Sequence, residues 1–255
     1  MEPTPLSSTE LNPEKVKKRM RIVVCTNSLT EIQYPAYTNH IQFWFRLGRS
    51  YPEIDFILSN PSRMSIDRCR NMAAKVALEC EADYLLFLDD DVLVPPNNAL
   101  KLLLECEADV AAGKVCIRGY PFQYMCFVGR PEDPRGLYPL EEMPTKGIED
   151  VGAVGFSCCL IKTSVFKTMP PPYFVTGINN TEDIYFCVKA RMANPDLTIR
   201  VNCELECSHI LWPETIGTIN REAYAEYFRA MNPDCDKKEP TGERGDNYLK
   251  MVKGA

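Results

Sequence analysis

The stretch Tyr84-Leu85-Leu86-Phe87-Leu88-Asp89-Asp90-Asp91 carries most of the information about the fold of this chain. Its apolar run, set between polar segments, is typical of a strand buried in a parallel sheet. The three carboxylates behind it repel one another and resist burial, so they need a countercharge. Mg²⁺ or Mn²⁺ supplies one and also binds phosphate, and open α/β sheets bind ligands at the carboxyl ends of their strands. The alternative is a solvated acidic turn before Pro95 and Pro96.

The composition is that of an ordinary globular protein of 255 residues, 45% hydrophobic and 25% charged, with a net charge of −6. This acidic balance gives no overall electrostatic reason to bind nucleic acid. No transmembrane segment or signal peptide is recognisable, so we expect a cytoplasmic protein. Several of the 12 cysteines lie in apolar periodic segments, where reduced cysteine behaves as a small hydrophobe, and we predict no disulfide framework.

Strand and helix patterns alternate through the first 110 residues, as in a parallel sheet wrapped by helices. None of the turns there contains a glycine-rich phosphate loop, so a bound nucleotide would need a metal and basic side chains. The expected strands are 21–26, 54–58 and 84–88, and the expected helices are 36–51, 65–81 and 97–107.

The second half of the chain mixes short strands with two longer helices. We therefore predict an α/β fold with a mostly parallel central sheet, flanking helices and a smaller second subregion. Strands are expected at 109–115, 122–128, 156–161, 199–201 and 205–210, and helices at 182–192 and 220–231. The expected organisation is a flexible arm at 1–19, one domain at 20–232 and a charged tail at 233–255.

A group of charged residues stands before the acidic strand, at the start of the helix expected at 65–81. Arg68 and Arg70 lie in its first turn, close to Arg63 and Asp67. Cations at a helix start oppose the helix dipole, and this placement is tolerated if they face an anion or the aspartate cluster. Taken together, the group indicates a site for the anionic part of a nucleotide. For any one of these arginines alone, the alternative is a solvated charge on the surface.

Three further features could carry chemistry. Glu182 and Asp183 open a helix, where acidic residues either stabilise the helix dipole alone or supply a general base. His209 is one of two histidines and follows an extended segment; it is either a structural residue or a metal ligand. The stretch 152–156, with Gly152 and Gly155, is either a flexible turn or a loop that lines a pocket.

Taken in order, these motifs resemble GT-A-fold glycosyltransferases, most like glycosyltransferase family 2, over about residues 21–212. The most specific matches are DYLLFLDDDV at 83–92, for the family's DxD motif, and NTEDIYFCVKA at 180–190, for its acidic helix start. The resemblance implies a single GT-A-like (Rossmann-like) domain, with 20–115 as the nucleotide-binding half and 116–232 as the acceptor half.

The resemblance also implies a role for each motif. Asp89 would contact the nucleotide and Asp91 the metal, Mn²⁺ or Mg²⁺, with Asp90 between them and Asp89 a second candidate ligand. His209 would complete the metal shell. The residues expected to bind the donor are Thr26, Arg63, Asp67, Arg68, Arg70, Asp89, Asp90, Gly152 and Gly155.

The implied activity is transfer of one sugar from a nucleotide-sugar donor, of the UDP- or GDP-sugar class, to an acceptor hydroxyl. Asp183 is the first choice for the base and Glu182 the second, and direct attack would invert the anomeric centre. The chain lacks the family's C-terminal membrane-active helices and long polymerase segment, which favours single-sugar transfer. The acceptor stays open between a glycan, a lipid-linked sugar, a protein and a modified DNA base.

Three other functions are compatible with the same residues. A nucleotidyltransferase would need a glycine-rich loop after the first strand, and residues 25–29 contain no glycine. A non-catalytic nucleotide-sugar-binding protein could keep the fold without the reaction. A phage-type transferase that glycosylates hydroxymethylpyrimidines is the third alternative, which the acidic net charge disfavours.

Overall fold

The computed structural model describes residues 18–29, 31–130, 136–177, 181–211 and 214–233. The arm expected at 1–19 and the tail expected at 233–255 lie outside the described residues, except for positions 18, 19 and 233. Within the described part, no helix combines the length and apolar character that a membrane span requires.

The strands and helices follow one another along the whole of the described chain. The strands are β1 Arg21–Asn27, β2 Asp55–Ser59, β3 Tyr84–Asp89, β4 Val92–Leu93, β5 Val110–Lys114, β6 Cys126–Val128, β7 Tyr138–Pro139, β8 Ile148–Asp150, β9 Ala153–Val154, β10 Cys158–Lys162, β11 Ile199–Glu206, β12 Ser208–Leu211 and β13 Glu214–Ile216. The helices are α1 Tyr34–Ser50, α2 Ile66–Glu79, α3 Ala99–Glu105, α4 Thr163–Phe166, α5 Glu182–Ala193 and α6 Arg221–Met231.

Seven strands form the central sheet, in the order β2-β1-β3-β10-β5-β11-β8. β1 is parallel to β2 and β3, and β11 is parallel to β5, whereas β10 is antiparallel to both of its neighbours and β8 to β11. Five strands therefore run one way and two the other. The predicted α/β fold with a mostly parallel central sheet is confirmed.

Strand β3 shows why its sequence is an unbroken apolar run. Leu85, Leu86, Phe87 and Leu88 are fully buried, and neighbouring side chains enter opposite faces of the sheet. Leu85 and Phe87 belong to the core beneath α2 and α5. Leu86 and Leu88 belong to the core beneath α1 and α3. Because helices cover both faces, β3 has no solvent side on which polar residues could alternate.

Helix α2 approaches the sheet with small side chains. Ala73, Ala74 and Ala77 are fully buried in the same core as Leu85 and Phe87. Residues four apart share a helix face, so Arg70 lies one turn before Ala74 on this inner side. An arginine is thereby carried under the end of the sheet.

A small sheet of β4, β12 and β13 lies next to the end of β3. β12 is antiparallel to β4, and this pairing places His209 opposite Val92. Helix α1 holds the strand from outside: the Asn39 side chain donates to the Val94 carbonyl and accepts from the Val94 amide, both at 2.9 Å. The chain just after Asp91 is therefore fixed from two sides.

The predicted strand at 122–128 is shorter than expected. Only Cys126–Val128 is a strand, because Phe122 has a left-handed backbone (φ 56°) and its amide closes a turn onto the Gly119 carbonyl at 2.8 Å. The two extended segments expected at 199–201 and 205–210 are instead one eight-residue strand, β11, followed by β12.

Candidate functional site

The candidate site lies where β1 and β3 end side by side. The register pairs Thr26 with Leu88 and Asn27 with Asp89. On the other side of β3, the Asp89 amide donates to the Ser157 carbonyl at 3.0 Å, just before β10 begins. The aspartate triplet therefore stands at the carboxyl edge of the sheet, where α/β folds bind their ligands.

The buried residues Arg70, Glu182 and Asp183 form, with the partly buried Asp89, a group that we call the inner cluster. The Arg70 residue is only 2% exposed, and its Nη2 lies 3.0 Å from Asp89 Oδ1. Its Nη1 lies 3.3 Å from Glu182 Oε1. Asn27 Nδ2 donates to Asp89 Oδ1 at 3.3 Å. One guanidinium thus joins the end of β3 to the start of α5.

Two aromatic rings fix this guanidinium further. Arg70 Cζ lies 5.3 Å from the ring centre of Phe87 and 5.3 Å from that of Phe156. The two rings are nearly parallel, at 13°. Cation–π contacts are strongest where water is excluded, as here. The inner cluster is therefore an ordered, desolvated charge network.

Burial and charge shift the pKa values of this group in a consistent way. Burial raises the pKa of Glu182 to about 7; Arg70 opposes the rise and Asp183 adds to it. Burial also raises the pKa of Asp183, again against the attraction of Arg70. Burial lowers the pKa of Arg70, but Asp89, Glu182 and Asp183 outweigh it, so the net change is upward. Near neutral pH, Glu182 therefore exchanges its proton easily.

Asp91, Arg118 and His209 form a second group, the outer site. Asp91 Oδ2 lies 2.7 Å from Arg118 Nη1, and Asp91 Oδ1 lies 3.9 Å from His209 Nε2. His209 Nδ1 is hydrogen-bonded to the Cys116 carbonyl. Because a carbonyl only accepts, Nδ1 carries the hydrogen, and in the neutral ring Nε2 presents a lone pair towards Asp91.

This arrangement matches how histidine ligands are held in metal sites, where the second ring nitrogen donates to a carbonyl or carboxylate. Asp91 and His209 alone are two ligands, and among the described residues no group of three or more His, Cys, Asp or Glu side chains is placed to hold a metal. A cation here would complete its shell with phosphate oxygens or water, as Mg²⁺ commonly does. Asp89, also expected as a ligand, lies in the inner cluster with its Oδ1 against Arg70.

Asp90 stands between the two groups and is half-buried. Burial raises its pKa, and the neighbouring charges of Asp91 and Asp89 raise it further. Thr26 is buried directly behind the triplet, and its hydroxyl oxygen has no hydrogen-bond partner. The structure therefore brings both residues to the carboxyl edge of the sheet.

The charged residues around the start of α2 separate in space. Two helical residues differ by about 200° in direction, so Arg68 points outward while Arg70 points inward. Arg68 is exposed and lines an apolar groove of about 770 Å³ with Met72 and Tyr173. Arg63 is also exposed, and its amide donates to the Ser28 carbonyl at 3.3 Å, just past β1. Asp67 is half-buried, and its Oδ1 accepts the Arg68 amide at 2.9 Å.

The two predicted pocket glycines also lie apart. Gly155 adjoins Phe156, and a Cβ there would meet Met125 Cε at 2.4 Å. Gly152 lines a different cavity, of about 450 Å³, with residues 195–199 at the start of β11. A Cβ at Gly152 would meet the Gly129 carbonyl oxygen at 2.2 Å, so close backbone packing requires glycine there.

Three further residues complete the site, of which Asn27 and Arg118 were not predicted, whereas Phe156 ends the predicted stretch 152–156. Asn27 donates to Asp89, and its position at the end of the first strand is a signal that could have identified it. Phe156 flanks Arg70, and it follows directly from the noted glycine stretch. Arg118 contacts Asp91 from a turn 27 positions along the chain, for which no local pattern gives a signal.

Comparisons with known proteins bear on the fold. No protein-family model matches the chain, and neither does any curated protein. The crystal structure of A197 from STIV matches with a TM-score of 0.55 and 20% identity, over 75% of this chain and 86% of that one. This likeness supports the α/β architecture described above.

Two enzyme structures match with lower scores. A putative glucose-1-phosphate thymidylyltransferase from Bacillus anthracis has a TM-score of 0.42 and 10% identity, over 81% of this chain and 95% of that one. The inositol-1-phosphate CTP transferase from T. maritima has a TM-score of 0.44 and 11% identity, over 80% and 95%.

Proposed function

We propose that this protein is a metal-dependent glycosyltransferase that moves one sugar from a nucleotide-sugar donor to an acceptor hydroxyl with inversion. The observation that carries the proposal is the outer site, where Asp91 Oδ1 and His209 Nε2 lie 3.9 Å apart at the carboxyl edge of the sheet. The inner cluster includes Asp89, which precedes Asp91 by two residues in the sequence. It also includes Glu182, whose pKa burial raises to about 7.

The donor diphosphate belongs at the outer site in this proposal. Asp91 and His209 would hold Mn²⁺ or Mg²⁺, which when bound acts as a Lewis acid on the departing diphosphate. Arg118, already at Asp91, and Arg63, exposed beyond β1, supply positive charge for the phosphate oxygens. Asp89 anchors this edge through Arg70 and Asn27.

The acceptor hydroxyl loses its proton to the inner cluster. Asp183 is the base, and it sits in the first turn of α5, where its Oδ1 accepts the Ile184 amide at 2.8 Å. Because burial raises the pKa of Glu182 to about 7, Glu182 is partly protonated near neutral pH, and the charge of Arg70 favours the ionised form of Asp183. Direct attack by the deprotonated hydroxyl then inverts the anomeric carbon.

The first test is donor binding. UDP- and GDP-sugars are titrated into the protein with Mn²⁺ by calorimetry, and release of nucleoside diphosphate is followed in the same samples. Asp91→Asn is expected to weaken Mn²⁺-dependent donor binding at least about 100-fold, because the metal loses its carboxylate. Asp196→Asn, an exposed aspartate away from the site, is the matched control. Unchanged donor binding in Asp91→Asn contradicts the proposal.

The second test separates binding from transfer. Asp183→Asn is expected to keep donor affinity within about twofold and to lower nucleoside diphosphate release by about 100-fold or more, because an amide is not a base. Pyrophosphate release from a nucleoside triphosphate and a sugar 1-phosphate would instead assign a nucleotidyltransferase. Donor binding without any turnover would assign a binding protein.

A further inference from the structure

Helix α1 has an apolar outer face as well as an apolar inner one. Tyr34, Tyr37 and Phe45 are 76%, 50% and 77% exposed, and Ile41 is half-buried. At about 100° per residue, these four side chains fall within an arc of about 80°. Large aromatic residues thus form one continuous stripe on the surface.

The stripe is not required to hold the helix in place. The inner face of α1 already buries Ala36, His40, Phe43 and Leu47. His40 Nε2 is hydrogen-bonded to the Val92 carbonyl at 3.0 Å. A helix anchored in this way would keep its position with a polar outer face, so the exposed aromatic stripe indicates a contact with another body.

The charge of α1 indicates which kind of surface contacts the aromatic stripe. Its seventeen residues include Arg46 and Arg49, both exposed, and no Asp or Glu, although the chain has 35 acidic residues and a net charge of −6. Arg49 follows Phe45 by four residues and therefore flanks the stripe. An aromatic stripe beside arginine, without acidic residues, is typical of helices that lie in the interface of anionic membranes.

We infer that α1 lies flat on an anionic lipid surface, with Tyr34, Tyr37, Ile41 and Phe45 at the level of the headgroups and Arg49, beside the stripe, facing lipid phosphates. Its seventeen residues, two of them arginines, lie on a bilayer rather than cross it. α1 begins shortly after β1, so its first turn is at the carboxyl edge of the sheet. This inference is independent of the proposed function.

Vesicle flotation tests the inference with the full-length protein. Binding is expected to vesicles of equal parts phosphatidylglycerol and phosphatidylcholine, and at least about tenfold less binding to phosphatidylcholine alone. The double variant Tyr37→Ser/Phe45→Ser is expected to bind the anionic vesicles at least about tenfold more weakly, and Arg49→Gln about threefold. Tyr227→Ser, which changes a 66% exposed tyrosine on α6, is the matched control and should bind like the wild type.

Circular dichroism and thermal melting show whether each variant keeps its fold. The inference is overturned if the wild type fails to float with anionic vesicles, or if the folded double variant floats as well as the wild type. Sedimentation gives a further way to overturn it: a wild-type dimer that the double variant dissociates would make the stripe a contact between two copies of the chain.

Discussion

Asp89 and Asp91 are two residues apart in sequence and both are partly buried, but they have different partners. Asp89 belongs to the inner cluster, where Arg70 and Asn27 satisfy it inside the protein. Asp91 belongs to the outer site, where its partner is the half-exposed Arg118 and His209 Nε2 lies 3.9 Å away. The difference arises because β3 ends at Asp89, so Asp91 lies beyond the strand, in the turn before β4.

An aspartate side chain therefore has two different roles in this protein, one in an ion pair with the buried Arg70 and one in an ion pair with the half-exposed Arg118. A buried ion pair is difficult to break, since removal of one partner leaves an uncompensated charge. A half-exposed ion pair contributes little and exchanges readily with other ions. The inner cluster is therefore suited to fixing geometry, and the outer site to exchanging Arg118 for a ligand.

The largest expected effect comes from removing the cation of the inner cluster. Arg70→Met leaves Asp89, Glu182 and Asp183 without their buried countercharge, and we expect a loss of about 3–5 kcal/mol in the free energy of unfolding. Urea denaturation measures it. Arg68→Met, on the exposed side of the same helix, should change stability by less than about 0.5 kcal/mol. Equal effects of the two variants would refute the proposed difference in environment.

The next effect is a pH dependence that belongs to the inner cluster. The folded-state pKa of Glu182 is raised from 4.5 to about 7, so the folded protein holds its proton more tightly than the unfolded chain. This contribution to stability is complete below pH 4.5, is lost as the pH rises through about 7, and amounts to about 3 kcal/mol.

Glu182→Gln cannot titrate, so the difference in unfolding free energy between wild type and variant should change over this pH range and stay flat above about pH 8. Urea denaturation at pH 5 and pH 8 measures the change. A difference that does not vary between these two values would show that Glu182 titrates normally.

A smaller contrast separates the two aspartates directly. Asp89→Asn weakens a charge-assisted pair with the buried Arg70 and is expected to lower stability by about 1–3 kcal/mol. Asp91→Asn should lower it by less than about 0.5 kcal/mol, since its ion pair is with a half-exposed arginine. Thermal melting of both proteins without metal gives the comparison. The reverse order would place the exchangeable carboxylate at Asp89.

The smallest effect concerns the arginine of the outer site. Arg118→Gln removes a cation that competes for Asp91, and metal-only affinity should rise about two- to fivefold, the equivalent of a surface ion pair. Electron paramagnetic resonance of free Mn²⁺ measures this without any donor. Arg63→Gln, which leaves Asp91 untouched, is the control. Weaker Mn²⁺ binding in Arg118→Gln would argue against competition for Asp91.

Local patterns predicted much of this fold. The apolar run of β3 and the acidic start of α5 are visible because burial on both sheet faces and the helix dipole act over a few residues. The order of the strands is not visible in the same way. β10 comes late in the chain and inserts between β3 and β5, and such long-range pairing leaves no local signature.

The sequence also predicted only part of the site, because residues that are neighbours in sequence can separate in space. The sequence groups Arg68 with Arg70, yet helix geometry sends one to solvent and the other beneath the sheet. It also groups Gly152 with Gly155, which line different parts of the protein. Arg118 reaches Asp91 through a turn that folds back from β5, so only three-dimensional structure brings them together.

The insertion of β10 has a consequence for the order in which the protein can be assembled. During synthesis, β1 to β5 leave the ribosome before β10 has been made. Until β10 pairs with them, β3 and β5 each have an unpaired edge. Arg70 and Asp89 are synthesised before β10, whereas Glu182 follows β10 in the chain. A nascent chain stopped near residue 115 would therefore be prone to aggregate through these unpaired strand edges.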